Sequence, residues 1–149
     1  MFRLIPSNNF AGNITDMDHK ENTTFELTER TLQNAMQSYI NALNNKDIPG
    51  IVALFAEEGT IEDPVGSITE KASVGLPRLV GALPENASFT LDTPIRTSHD
   101  LSGAAFAMTV ELIWDGKPMK IHSIDVMQFN KQGLITEMKA YYGPSNITV

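Results

Sequence analysis

The chain has 149 residues, of which 42% are apolar and 19% charged, and its formal net charge is −7. This length and composition are typical of one globular domain rather than of a disordered chain. The negative charge disfavours contact with phosphate backbones, so we expect no nucleic-acid partner. The lack of cysteine excludes disulfides, thiolate metal sites and cysteine nucleophiles. No apolar run reaches the length of about 18 residues that a membrane span needs.

The first 25 residues are rich in Asn, Thr and Asp, and they contain no apolar segment of the length found in signal peptides. We expect residues 1–25 to form a flexible or loosely docked extension and residues 26–149 to form the single domain. We also expect the protein to be cytoplasmic.

Helices are predicted early in the domain. Apolar and aromatic side chains at spacings of four, three and four predict one buried helical stripe within residues 27–47: Leu32, Met36, Tyr39 and Leu43. Thr28 can cap this helix, and Asp47 can cap a second helix over residues 48–58 that Gly59 would end. Residues 72–83 contain two glycines and Pro77, so we expect a short or irregular helix there.

The rest of the chain is typical of strands. The stretch "TIEDPVGS", Thr60–Ser67, ends a short strand, and four further runs are rich in β-branched and aromatic residues: 88–98, 103–116, 117–130 and 134–143. Asp115-Gly116 and residues 131–133 are hairpin turn signals. Helices followed by a mostly antiparallel sheet predict an α+β domain, with the helices packed on one concave face.

Three polar side chains fall where the pattern predicts core. Asp63 alternates with Ile61 and Val65, Asp125 lies in the middle of an apolar strand whose two faces we expect to be covered, and Tyr39 lies on the helical stripe. An isolated ionised carboxylate is costly to bury, so each acid needs donors, a shared proton or protonation. One ionised acid and one neutral acid would form a base and an oxyanion donor.

Each of these residues also has a purely structural interpretation. An Asp before Pro usually belongs to a turn, a Tyr on a helical stripe usually packs in the core with its hydroxyl at the rim, and Asp125 could be paired with Lys or Arg. The coincidence of all three favours a site. His99 and His122 have no metal-binding spacing, so we expect no metal site, and no glycine-rich phosphate loop occurs.

Residues 36–147 resemble bacterial Delta-5-3-ketosteroid isomerases, most weakly over 68–90. The resemblance is carried by "EDPVG" at 62–66 and by "ID" before "VMQF" at 124–129, with a helix tyrosine upstream. It implies a cone-like, nuclear-transport-factor-like fold, in which a curved, mostly antiparallel sheet wraps around N-terminal helices. It also implies no cofactor, a homodimer and a hydrophobic, steroid-like substrate.

The resemblance further implies roles for single residues. Asp63 would be the general base, and Tyr39 and a protonated Asp125 would donate to the dienolate oxygen. Ketosteroid isomerases are the known example of a carboxylic acid kept neutral for this purpose. Six residues are expected to bind substrate: Phe55, Val65, Phe106, Met108, Met127 and Tyr142.

Some positions depart from the family pattern. Phe55 and Val80 stand where some relatives have further tyrosines behind the catalytic one, so we expect Tyr39 to lack that support and to be a weaker donor. Tyr142 stands where Trp or Phe is frequent. The Gly-Pro-containing stretch 75–77 falls in the third helix, where the mouth of the pocket is expected.

Three functions are consistent with these observations. The first is a cofactor-free isomerase that moves a double bond into conjugation with a steroid ketone. The second is a related cone-fold cyclase, dehydratase or hydrolase for polyketide or terpenoid rings, which usually needs a catalytic His–Asp pair or a polar water-activating cluster in the pocket. The third is a non-catalytic binding module, which predicts an apolar cone without buried acids. The two histidines do not share the faces of Asp63 and Asp125, which disfavours the second function.

Overall fold

The computed structural model describes residues 25–149, so the extension predicted for residues 1–25 lies outside the described residues except for Phe25. Helix α1 spans Glu29–Asn45, and the Thr28 hydroxyl accepts a hydrogen bond from the Thr31 N–H at 3.2 Å, which confirms the predicted cap. The predicted stripe of α1 is buried. It packs against the inner face of the sheet as part of the main apolar core.

The second helix is shorter than predicted. Helix α2 spans Ile48–Val52, and Asp47 caps it by accepting a hydrogen bond from the Gly50 N–H at 3.0 Å. Strand β1, Phe55–Glu62, begins almost at once, so the prediction of helix to residue 58 was wrong. The start of β1 pairs with a strand distant in sequence, at Ile135, and this pairing is not encoded in the local helical pattern.

Gly59 lies inside β1 instead of ending a helix. The register of β1 shifts between Phe55 and Thr60, and a Cβ at Gly59 would lie 2.8 Å from the Ala56 carbonyl oxygen and 2.9 Å from that of Ile135. Glycine is therefore required by close backbone approach at this irregularity.

Helix α3, Ala72–Ala82, is continuous over eleven residues, although an irregular helix was predicted. Pro77 removes one backbone donor, but the carbonyl that loses it belongs to Ser73, which is exposed and can bind water. Gly75 faces the sheet, where a Cβ would lie 2.5 Å from the Ile61 side chain. The glycine thus lets α3 lie close to β1.

Within residues 25–149 the strands form one eight-stranded sheet, in which six follow the order β2-β1-β7-β6-β5-β3, β4 pairs with β5 and β8 pairs with β6. Their bounds are β2 Thr69–Lys71, β3 Ser88–Leu91, β4 Arg96–Thr97, β5 Gly103–Trp114, β6 Lys117–Phe129, β7 Ile135–Tyr141 and β8 Ile147–Thr148, with a 3₁₀ turn at Pro144–Asn146. Every pair is antiparallel except β1 with β7. This mixed fold, with few helices and a large curved sheet, confirms the predicted fold class.

The long hairpin of β5 and β6 turns at Asp115 and Gly116, whose φ angles of 53° and 75° fit the predicted tight turn. Along β6, Asp125 and Met127 are buried, whereas the alternate residue Ile124 is 52% exposed. The prediction that both faces of this strand are covered was therefore wrong for the outer face, because the helices of the described residues pack on the inner face. Among residues 25–149, no helix is both long and apolar enough to cross a membrane.

Candidate active site

A cavity of about 120 Å³ lies between the inner face of the sheet and helices α1 and α3. Its walls are mostly apolar, and α3 and the segment after it contribute one side of them with Leu76, Leu79, Val80 and Leu83. The polar side chains that line it come from four separate segments: Tyr39, Asp63, Ser123, Asp125 and Tyr142. The fold therefore gathers the few polar groups of this region around one small apolar space.

The elements of the fold explain how these groups meet. Tyr39 lies on the buried stripe of α1, and Asp63 directly follows the last residue of β1. Asp125 lies inside β6, with Phe106 of β5 on one side and Ala140 of β7 on the other. Because β7 lies between β1 and β6, the end of β1 and the inner face of β6 border the same space.

Asp125 is only 2% exposed and has one hydrogen-bond partner among the described residues. The Ser123 hydroxyl donates to its Oδ1 atom at 3.0 Å. Burial, together with the negative charge of Asp63, raises the pKa of Asp125 to about 7, and the hydrogen bond from Ser123 opposes this rise. Its carboxyl group is thus held largely neutral well above the usual range of an aspartate.

The structural alternative for Asp125 was an ion pair with Lys or Arg. Three ion pairs occur among the described residues: Arg78 with Glu70, Lys120 with Glu111, and Lys139 with Glu137. Asp125 takes part in none of them, so no cation offsets its burial within this part of the chain.

Asp63 is partly exposed and has a different environment. Burial raises its pKa, but a hydrogen bond from the Tyr142 hydroxyl and the positive charge of Arg78 both oppose the rise. These two groups stabilise the ionised form of Asp63. Of the two cavity acids, Asp63 is therefore the one equipped to carry charge.

The two cavity tyrosines remain protonated donors. Burial, and then the charges of Asp125 and Asp63, raise the pKa of Tyr39 well above its ordinary value. Burial and the charge of Asp63 raise the pKa of Tyr142 to about 12. Within residues 25–149 no side chain forms a hydrogen bond with the Tyr39 hydroxyl, and its proton can be offered to a molecule in the cavity.

Phe55 and Val80 are the two positions at which the sequence departs from the expected supporting tyrosines. Val80 lines the cavity and Phe55 lies in the core, and neither has a hydroxyl that could donate to Tyr39. That Tyr39 is a weaker donor for this reason stays a prediction.

The cavity brings together five of the nine residues predicted for the site: Tyr39, Asp63, Met108, Asp125 and Tyr142. Phe55, Phe106 and Met127 do not line it but belong to the apolar core, where they are at most 6% exposed. Their side chains point to the inner face of the sheet, as predicted. Periodicity specifies the face of the sheet, but it does not specify the point along the strand at which the helices leave a space.

Val65 lies away from the cavity because the strand ends before it. Gly66 has a φ of 99° and its N–H donates to Glu62 Oε1 at 2.8 Å, while the Ser67 N–H donates to the Pro64 carbonyl at 3.0 Å. This turn breaks the alternation after Asp63. Val65 therefore borders a groove on the outer face of the sheet, beside Ile124 and Tyr141.

Some functional candidates were not selected from the sequence. Ser123 shares the inner face with Asp125 two residues away, so strand periodicity could have identified it as a partner. The α3 residues Leu76, Leu79 and Val80 follow a helical spacing that could have marked a lining face. Arg78 had no sequence signal, because its effect on Asp63 depends on how α3 packs beside the end of β1.

The two histidines of the described residues, His99 and His122, lie outside this arrangement. His122 is exposed on the outer face of β6, where its Nδ1 lies 3.0 Å from the Thr109 hydroxyl, and His99 is exposed in a turn. No group of three or more His, Asp and Glu side chains in the described part of the chain is placed to hold a metal ion. The polar side chains that line the cavity carry two carboxyl groups and three hydroxyl groups.

Comparisons with known proteins agree with this architecture. A family model described as a SnoaL-like domain matches residues 36–138. A steroid Delta-isomerase of Nocardioides simplex is 30% identical over 116 residues, which cover 77% of this chain and 92% of that protein.

A solved structure extends the comparison of the fold. SalBIII, described as an epoxide hydrolase/cyclase-like enzyme with a role in pyran ring formation in the polyether salinomycin, matches with a TM-score of 0.73. The match covers 83% of this chain and 98% of that chain at 24% identity, so it shows a shared fold.

Proposed function

The chain belongs to the SnoaL-like family, and from this premise we propose that it is an enzyme that isomerises an unsaturated steroid-like ketone. The observation that carries the proposal is the pair of cavity acids, Asp63 and Asp125, held in opposite environments beside Tyr39. Identity to a steroid Delta-isomerase and the resemblance of the motifs around both aspartates support the same reaction.

In the first step, the Asp63 carboxylate removes a proton from the carbon between the ketone and the double bond. The electron pair of the broken C–H bond moves into the conjugated system, and negative charge collects on the ketone oxygen as a dienolate. Asp63 is suited to this because its charge is stabilised by Tyr142 and Arg78 while burial keeps its pKa above the ordinary value.

The dienolate oxygen accepts hydrogen bonds from Tyr39 and from neutral Asp125. Both donors are buried, so they act in a medium of low dielectric constant where each is worth more than in water. Asp63 then returns its proton two carbons along, which leaves a conjugated ketone. The proton balance closes within the site, and neither water nor an oxidant is consumed.

The apolar character of the cavity walls suits the apolar rings of such a substrate. Leu76 and Leu79 of α3 line the cavity, as do Met108 and Val110 of β5. Burying the rings of a flat apolar substrate here contributes roughly 25 cal/mol per Å² of apolar surface. The homodimer and the cytoplasmic location implied by the resemblance remain predictions.

A second candidate function follows from the same acid pair. A neutral Asp125 could protonate a ring oxygen while Asp63 activates a hydroxyl, which would suit a cyclase or a hydrolase. The likeness to SalBIII concerns the fold, and the exposed position of His122 removes it as the His of a His–Asp pair in the cavity. A pure binding module has no need of two acids in an apolar cavity, so we rank it third.

Conversion of an unconjugated 3-keto steroid tests the isomerase directly, because conjugation increases ultraviolet absorbance. We expect wild-type protein to convert the substrate and Asp63→Asn to lose most of this activity. A phenolic steroid, which mimics the dienolate held by Tyr39 and Asp125, should bind tightly in a fluorescence titration. No conversion and no binding at high micromolar ligand would favour the cyclase or the binding module.

A further inference from the structure

Ser123 is the residue in direct contact with Asp125 that the proposed reaction does not yet use. The two side chains lie on the inner face of β6, two residues apart, and are 6% and 2% exposed. Both line the cavity, and the Ser123 hydroxyl donates to Asp125 Oδ1 at 3.0 Å. The hydrogen bond is thus formed inside the site and away from bulk water.

This contact determines which oxygen of a neutral Asp125 can carry the proton. An oxygen that accepts a hydrogen bond from Ser123 acts as the carbonyl oxygen of the carboxyl group, which leaves the proton to Oδ2. No described residue forms a hydrogen bond with Oδ2. We propose that Ser123 is a positioning residue that holds Asp125 with its Oδ2–H directed at the oxygen of a bound ketone.

Packing alone does not require a hydroxyl at this position. Ser123 is opposite Met108 in the β5–β6 register, and Ile121, two residues before it, also lines the cavity. Burying a hydroxyl is unfavourable unless it finds a hydrogen-bond partner, and among the described residues the partner of Ser123 is Asp125. A small apolar residue would fill the space without that need.

Ser123 could act by orienting the Asp125 carboxyl group or by keeping it protonated, and its effect on the pKa of Asp125 distinguishes these two roles. The titratable groups that face Asp125 are Tyr39 from α1, Asp63 from the end of β1 and Tyr142 from the end of β7, while its neighbours on β5 and β7 are Phe106 and Ala140. The Ser123 hydrogen bond lowers the pKa of Asp125 against burial. Ser123 therefore orients the donor rather than keeping it protonated.

The test compares Ser123→Val with Ser123→Thr, two residues of the same shape that differ by the hydroxyl. For Ser123→Val we expect kcat on the steroid to fall about tenfold with little change in KM, since misplacing a reacting group by even 1 Å can cost up to ~10²-fold. We also expect the pKa of Asp125, followed by carboxyl carbon NMR, to rise. Ser123→Thr should restore most of the turnover and return the pKa towards that of wild type.

Equal kcat values and equal Asp125 titrations in the Val and Thr variants would overturn the proposal. Ser123→Ala, which adds no bulk, replaces Ser123→Val if the latter does not fold. The inference rests on the proposed function for the identity of the reacting oxygen, and the two can fail separately. A wild-type protein inactive on steroids would refute the isomerase, while an Asp125 pKa that rises in the Val variant and not in the Thr variant would still support control of the carboxyl group by Ser123.

Discussion

The end of β1 and the middle of β6 each place an aspartate at the same cavity, but the two aspartates differ in exposure and in polar partners. Asp63 follows the last residue of β1, is partly exposed, and lies near a hydroxyl donor and a guanidinium group. Asp125 lies inside a continuous strand, is almost completely buried, and has one serine hydroxyl as its partner among the described residues. Identical side chains therefore have different proton affinities because of their positions in the fold.

This difference is the physical basis of the proposed reaction. A base must be charged and must reach its substrate, and a strand end that borders the cavity provides both conditions. An oxyanion donor must stay neutral, and the middle of a covered strand provides that by desolvation. Each substitution considered next changes either the surroundings of Asp63 or those of Asp125.

Asp63→Asn should have the largest effect. The amide keeps the shape of the side chain and loses the proton-accepting charge, so turnover should fall by ~10²–10⁴-fold with the fold intact. Steady-state kinetics on the steroid measure it. Glu62→Gln is the matched control, because Glu62 is the adjacent acid and its Oε1 only accepts from the Gly66 N–H. A loss of less than about tenfold in Asp63→Asn would remove Asp63 from the role of base.

Asp125→Leu should have the next largest effect, a loss of ~10²–10³-fold, because it removes an oxyanion donor while keeping approximate bulk. Asp125→Asn retains a neutral donor and should keep much of the activity. Turnover of both variants on the same steroid measures the difference. Equal losses in two folded variants would contradict the assignment of Asp125 as a neutral donor.

The stability of the folded protein should also depend on pH through the buried Asp125. Since the pKa of Asp125 is about 7 in the folded protein and 3.8 ordinarily, its stabilising contribution is fully present below pH 3.8 and is lost as pH rises through 7. The loss is about 1.4 kcal/mol per pH unit within this interval. Urea unfolding at several pH values should show a smaller decline in Asp125→Asn than in wild type. Parallel curves for the two proteins would indicate that Asp125 is ionised when folded.

Tyr142→Phe should have the smallest effect. Removing the hydroxyl deletes a hydrogen bond to Asp63, so the pKa of Asp63 should rise and the acidic limb of the pH–rate profile should move to higher pH. Turnover at the optimum should change by less than about tenfold, since one such bond contributes ~0.5–1.5 kcal/mol. Tyr141→Phe is the control, because Tyr141 is exposed on the outer face. An identical pH profile in both variants would exclude the coupling of Tyr142 to Asp63.

Much of this arrangement was predictable from periodicity. The stripe of α1, the caps Thr28 and Asp47, the hairpin at Asp115 and the inward phase of Asp125 all depend on local sequence, and the structure has each of them. Such features follow from spacing and side-chain type, which a single sequence contains.

The features that were missed depend on contacts between distant segments. Residues 55–58 were predicted to be helical, but they belong to β1, which begins where Phe55 pairs with Ile135 of β7. Phe106 and Met127 face inward as predicted, yet the helices leave the cavity elsewhere along the sheet. The action of Arg78 on Asp63 likewise depends on the packing of α3 beside β1, which no local pattern encodes.

The two cavity acids hold their protons differently, and a carboxyl carbon NMR titration of the wild-type protein measures both groups at once. Asp63→Asn and Asp125→Asn assign the two signals. We expect Asp125 to release its proton near pH 7 and at a higher pH than Asp63. An Asp125 signal that is already ionised at pH 5, or an Asp63 signal that titrates above it, would refute the assignment of Asp63 as base and Asp125 as neutral donor.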